Sequence, residues 1–256
     1  MSSDVEASEK TPLIAQDLTL HDLRLALSAG WADFRAHPAF GVFFSMIFVL
    51  SGLALSHLLL VRGEVFWLIL AAAGFPLLAP FTAVGLYEVS RRRESNLPLS
   101  WGKVFGALKG RGDEQILSMG VILFVAFGFW IIIAHTVFSI FVVEAGAGSE
   151  SLEFLMTETG LIMLSVGSVI GAVIALTFYV GTVISLPMLV DRKVSFLAAI
   201  IASIGVFRAN TFVLMVWATF IAVMLFLAMA PMFLGLIIVL PVLGHATWHL
   251  YRRSVK

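Results

Sequence analysis

Six long apolar stretches, at 40–61, 65–89, 116–143, 161–190, 211–230 and 232–251, take up most of this chain. A helix of about 20 apolar residues crosses a bilayer core. Inside lipid the backbone must satisfy its own hydrogen bonds, so stretches of this length and composition are read as helices. The expected fold is therefore all-α: a polytopic membrane bundle of six transmembrane helices. The third and fourth stretches exceed the length a bilayer needs, which predicts tilt or extension beyond it. Arg62-Gly63-Glu64 and Pro231 are tight gaps and make hairpins of the first and last pairs.

Composition supports lipid as the main solvent. Hydrophobic residues make up 60% of the 256 and charged residues only 12%, about half the share usual in soluble domains. The formal net charge of zero hides a separation. With six spans, 15 of the 16 Lys and Arg residues fall on one side, where they meet 11 acidic residues. On the other side Arg62 faces Glu64, Glu144, Glu150, Glu153 and Glu158. Basic loops stay cytoplasmic, so both termini are expected there and 144–160 outside. The first 17 residues are polar and lack the basic start and apolar run of a signal peptide. Residues 1–17 are expected to be a disordered cytoplasmic tail, and 18–256 a single six-span membrane domain. No basic run suggests nucleic acid. The absence of cysteine excludes disulfides, iron–sulfur clusters, thiolate zinc and covalently attached c-type haem.

Each predicted hairpin is preceded by a cytoplasmic piece that reads as an interfacial helix. In the first, Leu20, Leu23, Leu27, Trp31 and Phe34 share a stripe opposite Asp22, Asp33 and Arg35, and Thr19 with Asp22 forms a capping pair. The second has Ser100 as N-cap, then Trp101, Val104, Phe105 and Leu108 at helical spacing. The third, 194–208, is more apolar all round. Ser28-Ala29-Gly30 and Phe34-Arg35-Ala36-His37 have a faint echo in Ser203-Ile204-Gly205 and Phe207-Arg208-Ala209-Asn210. The chain thus reads as three units, each an interfacial helix followed by a hairpin.

Polar residues are scarce enough to examine singly. Away from the span ends there is no Lys, Arg, Asn, Gln, Asp or Glu, which counts against a proton pump or ion-coupled transporter. His57 and His135 sit deep, and read either as a haem or metal pair or as neutral imidazoles bonded to neighbours. At the cytoplasmic span ends, Glu88 follows Pro80 by eight residues and Asp191 follows Pro187 by four. His245 and His249 follow Pro241 by four and eight. These offsets lie near one helical face, and three units around a common axis would bring Glu88, Asp191, His245 and His249 together. Two carboxylates and an i, i+4 histidine pair are a ligand set for zinc or iron. The alternative is a set of interfacial residues, since Arg91, Arg92 and Arg93 neighbour Glu88 and Arg192 neighbours Asp191. Pro76 and Pro80 predict a kink or a broken, cavity-lining helix. Gly167, Gly171 and Ala175 form a small-residue stripe suited to close helix approach, within the chain, to a membrane protein partner or to a second copy. Trp31, Trp67, Trp101 and Trp248 fall where an aromatic belt is expected.

Three stretches carry a resemblance to a known family. They are Gly30-Trp31-Ala32-Asp33-Phe34-Arg35, Gly85-Leu86-Tyr87-Glu88-Val89-Ser90-Arg91-Arg92 with Phe75-Pro76 and Pro80-Phe81 before it, and Gly244-His245-Ala246-Thr247-Trp248-His249. Together they resemble a proteobacterial family of predicted integral membrane proteins of unknown function. The resemblance implies a bacterial inner-membrane location and no particular reaction. Members are sometimes labelled cytochrome c oxidase subunit I. Two deep histidines and six spans are too few for a haem–copper core. The expectation is a non-catalytic accessory, assembly or scaffold protein without a cofactor. A carrier or pore for a neutral or lipid-like solute, and a metal-dependent membrane enzyme, are the alternatives.

Overall fold

The computed structural model describes residues 14–62, 74, 79, 83–107, 115–145 and 154–255. They form helices joined by short turns. Helix α1 (Leu20–Ala36) leads through His37 into α2 (Pro38–Arg62), and α3 (Val84–Glu94) is followed by the short α4 (Trp101–Gly106). Then come α5 (Gln115–Ala145), a 3-10 turn (Phe154–Met156) and α6 (Glu158–Thr182). The rest is α7 (Ser185–Asp191), α8 (Phe196–Ala209), α9 (Thr211–Met229) and α10 (Leu236–Ser254).

Among the described residues four helical stretches are long and apolar enough to cross a membrane: Pro38–Arg62, Gln115–Phe141, Glu158–Asp191 and Thr211–Met229. The first, at 25 residues, is about 37 Å long against a hydrocarbon core of about 30 Å. Most of the predicted second stretch lies outside the described residues. The predicted sixth forms α10, whose second half carries His245, His249, Arg252 and Arg253 and is too polar to count among the four. That half is instead the centre of the packing: Ala246, Trp248, Leu250 and Tyr251 are buried, and α1, α2, α3, α7 and α9 all touch α10.

Local signals explain several boundaries. Thr19 and Asp22 form the capping box at α1: the Asp22 N–H donates to Thr19 Oγ1 at 3.3 Å, and the Thr19 N–H donates to Asp22 Oδ2 at 2.8 Å. Ser195 caps α8 by accepting the Ala198 N–H at 3.2 Å. Ser100 precedes α4 in an extended conformation but makes no side-chain capping bond. The long fourth stretch breaks at Val183–Ile184, between α6 and α7. Pro187 has no N–H for the Val183 carbonyl, so the helix cannot run through unchanged. Ser203 of α8 bridges the break, donating to the Val180 carbonyl at 2.6 Å and accepting the Ile184 N–H at 3.3 Å. The turn between α9 and α10 holds Met232 and Phe233 at φ 51 and 65. Gly235 is required there, since a Cβ would lie 2.7 Å from the Ala228 backbone.

The echo between the first and third units has a structural counterpart. His37 and Asn210 terminate α1 and α8 with similar backbone angles, φ −138, ψ 59 and φ −133, ψ 39. Each chain then turns directly into the next helix. Asn210 also anchors the segment before α1: its amide donates to the Ala15 carbonyl at 2.7 Å and its Oδ1 accepts the Leu18 N–H at 3.0 Å. The Ala15 N–H donates to the Ser254 carbonyl at 2.9 Å, and Arg253 pairs with Asp17 and Asp22, each at 3.0 Å. Of the tail expected over 1–17, residues 14–17 are therefore held against the bundle, and 1–13 lie outside the described residues.

The face that α1 buries differs from the predicted stripe. Leu23, Ala26, Gly30, Asp33 and Phe34 are buried, whereas Leu20 and Trp31 are exposed. The reason is a close approach to α10. A Cβ on Gly30 would lie 2.6 Å from the Ala246 nitrogen and 2.8 Å from the Val242 oxygen. Backbones this close leave room only for small residues at the contact itself, so Leu20 and Trp31 turn away while Leu23 and Phe34 stay buried.

Candidate functional site

The close contact of α1 with α10 carries Asp33 into the bundle, where it is 1% exposed. Two other helices supply its partners. Ser90 of α3 donates its hydroxyl to Oδ2 at 2.5 Å, His249 of α10 meets the same oxygen at 2.8 Å through Nε2, and the Arg93 guanidinium bonds Oδ1. Ser90 Oγ also lies 2.7 Å from Nδ1 of His245, which is wholly buried. Burial pushes the Asp33 carboxyl up. The hydrogen bonds from His249 and Ser90 outweigh this and hold it below its ordinary value of 3.8.

An ionised carboxylate only accepts hydrogen bonds. The Ser90 proton therefore points to Asp33, and the His245 Nδ1–H donates to Ser90 Oγ. That tautomer leaves His245 Nε2 as a lone pair, and among the described residues it has no hydrogen-bond partner. The arrangement is a relay of donors, His245 to Ser90 to Asp33, closed by His249 and Arg93. It fastens α1, α3 and α10 at one end of the bundle.

The residues predicted as a metal set divide among separate partners. His245 and His249 meet at the Asp33 cluster. Glu88 is held by its own helix: Arg91 donates to both its oxygens at 2.7 Å and Arg92 donates at 2.6 Å. Hydrogen bonds to Glu88 raise the Arg91 guanidinium further above its ordinary value. Asp191 accepts from the Tyr251 hydroxyl at 2.8 Å and from Arg252 at 3.2 Å. Arg252 also reaches Glu94 at 3.1 Å. Among the described residues no three His, Asp or Glu side chains are grouped to hold a metal ion.

Other candidates resolve in the same way. His57 and His135 are exposed on the flanks of α2 and α5, and His135 Nε2 lies 3.5 Å from Ser139 Oγ of its own helix. Trp31 and Trp101 are exposed, as belt residues would be. Trp248 is a correction: it is fully buried and donates its Nε1–H to Glu94 at 3.1 Å. The small-residue stripe is partly occupied within the chain. A Cβ on Gly171 would lie 2.8 Å from the Trp130 ring of α5, whereas Gly167 has nothing within 4 Å. Trp67, Pro76 and Pro80 lie outside the described residues.

Sequence reasoning missed Asp33, Ser90 and Arg93. A helical wheel groups Asp33 with charged residues and so places it on the exposed face. The available signal was Ala26 and Gly30, a small-residue pair one turn apart with Asp33 on the same side.

The fold and this site define a polytopic helical membrane protein whose polar side chains gather at one end of the bundle and bind one another. Residues 68–191 match the model of a family described as predicted integral membrane protein, DUF2189. This is the family that the sequence resembles. The matched stretch stops short of the Gly244–His249 motif, which supplies two of the five residues of the Asp33 cluster. No curated protein and no solved structure matches the chain.

Proposed function

We propose that this chain is a non-catalytic protein of the bacterial inner membrane, an accessory, assembly or scaffold subunit. It would cross the bilayer six times as three hairpins, with both termini and the Asp33 cluster on the cytoplasmic side. One observation carries this reading. The charged side chains at that end are engaged with one another and tie helices together, which is a structural use of scarce polar groups. The bundle also presents broad apolar flanks, with Val169 and Val173 of α6 more than 60% exposed. These and the open Gly167 supply a surface for a membrane partner or a second copy, as lipid does by default. The charge asymmetry across the predicted spans supports the orientation.

Affinity purification in mild detergent, with identification of co-purified proteins and metals, tests the reading. A defined protein partner in stoichiometric yield is expected. Purification of the chain alone with a bound transition metal would favour the metal-enzyme alternative instead. That alternative needs Glu88 and Asp191 to leave their arginines and turn toward His245 and His249. Carriage of a lipid-like solute, the other alternative, draws on a cavity between α6, α9 and α10.

A further inference from the structure

That cavity has a volume of about 370 Å³, within the range of small-molecule sites. It exists because small residues face one another: Ala83 just before α3, Ala172 and Ala175 of α6, Ala218 and Ala222 of α9, and Gly244 of α10. Its rim reaches the outer surface of the bundle, where Ala172, Met215, Thr219 and Ala222 are exposed. Water is a poor occupant, because a held water needs two to four polar partners and the walls are almost wholly apolar.

The few hydroxyls on the walls define the occupant. Thr182, Thr219 and Thr247 each donate to a backbone carbonyl one turn earlier, at 2.7, 2.9 and 2.8 Å. Tyr179 donates to the Leu214 carbonyl at 2.8 Å. Tyr87 is 3% exposed, lines the same cavity, and makes no hydrogen bond to any described residue. Its hydroxyl is therefore a donor open to an acceptor that enters the cavity. No lining residue is charged, so a phosphate headgroup would enter without a counter-ion.

We infer that this cavity binds an uncharged, carbonyl-bearing lipid of the diacylglycerol type. Its carbonyl accepts the Tyr87 hydroxyl proton, its head lies among the small residues, and its chains leave through the rim into the bilayer. The threonine oxygens, whose protons are already directed to the backbone, remain free to accept a hydroxyl of the head. This site does not depend on the accessory role, and it stands whether or not a protein partner is found.

Photolabelling of the purified full-length protein tests it. A diazirine-bearing diacylglycerol is compared with a phosphatidylglycerol carrying the same group, and labelled peptides are mapped. The neutral probe is expected to label α6 and α9 in preference, and excess unlabelled diacylglycerol to compete. Tyr87→Phe keeps the ring and removes the donor, so labelling should fall roughly tenfold at limiting probe with the thermal midpoint little changed. Ala222→Phe fills the cavity and should abolish labelling. Should that variant fail to fold, Tyr87→Phe decides alone. Equal labelling by both probes would mean ordinary bilayer contact and would overturn the proposal. So would neutral-probe labelling that Tyr87→Phe leaves unchanged.

Discussion

Asp33 is the residue on which this polar end of the bundle turns. It accepts hydrogen bonds contributed by α3 and α10 while sitting on α1, and it is almost fully buried. Arg93 is 41% exposed and regains water once the carboxylate is gone, so removing Asp33 chiefly leaves the Ser90 and His249 donors unmet, at a cost of about 1–3 kcal/mol. Asp33→Ala should therefore lower the unfolding midpoint of the detergent-solubilised protein by that equivalent. Ser90→Ala removes a neutral link and leaves the His245 donor without an acceptor, at about 1–3 kcal/mol. The same carboxylate predicts an acid limit. Its folded pKa lies below the ordinary value of 3.8, so its stabilisation is complete above that value. The stabilisation is lost as pH falls through the lower folded value. Melting curves from about pH 5 down to pH 3 should show the midpoint falling, and Asp33→Asn should flatten that fall. An unchanged slope in the variant would assign the acid sensitivity to other carboxylates.

At the scale of elements, the decisive contact is α1 on α10. Gly30 lets the two backbones meet, and Gly41 of α2 sits under Phe34 and Pro241, where a Cβ would lie 2.8 Å from each. These glycines are required by proximity, because both lie within helices. Gly30→Ala must push α10 away by enough to disturb Asp33, and overpacking of this kind costs about 1–3 kcal/mol. Gly102 of α4 provides the contrast, having nothing within 4 Å. Gly102→Ala should be neutral or stabilise by about 0.4–1 kcal/mol through the unfolded chain. Paired thermal melts of the two variants check this: equal effects would remove the close contact from the account.

For the whole molecule, the proposed arrangement fixes which loops are reachable from which side. The native chain has no cysteine, so a single introduced thiol reports without background. Ser149→Cys should react with an impermeant maleimide added outside intact spheroplasts. A cysteine in place of Ser95, beside the basic end of α3, should react only after permeabilisation. Reaction of the Ser149→Cys thiol from the cytoplasmic side alone would reverse or break the six-span topology. The packing around α10 adds a second expectation. Its C-terminal half touches so many helices that truncation before His245 should cost the whole bundle, read as loss of monodisperse protein in size-exclusion chromatography.

The apolar runs, the Thr19–Asp22 cap and the positions of the helices at 20–36, 101–106 and 196–209 were legible in the sequence. Each depends on residues close together in the chain, so local chemistry determines them. The convergence of His245 and His249 on one cluster was legible only as a face shared by two residues one turn apart. Its true partners were not, because Asp33 and Ser90 are brought there by α1 and α3. Glu88 and Asp191 had the right residue types and offsets for a ligand set, yet neighbouring arginines and Tyr251 engage them first. A helical wheel sorts α1 by polarity, and therefore turned Asp33 outward and Trp31 inward. Where α1 meets α10 the folded chain selects by size, since two backbones in contact at Gly30 and Ala246 exclude large side chains however apolar they are. Hydrophobicity is a property each residue carries along the chain, whereas the distance between two helices exists only once both are in place.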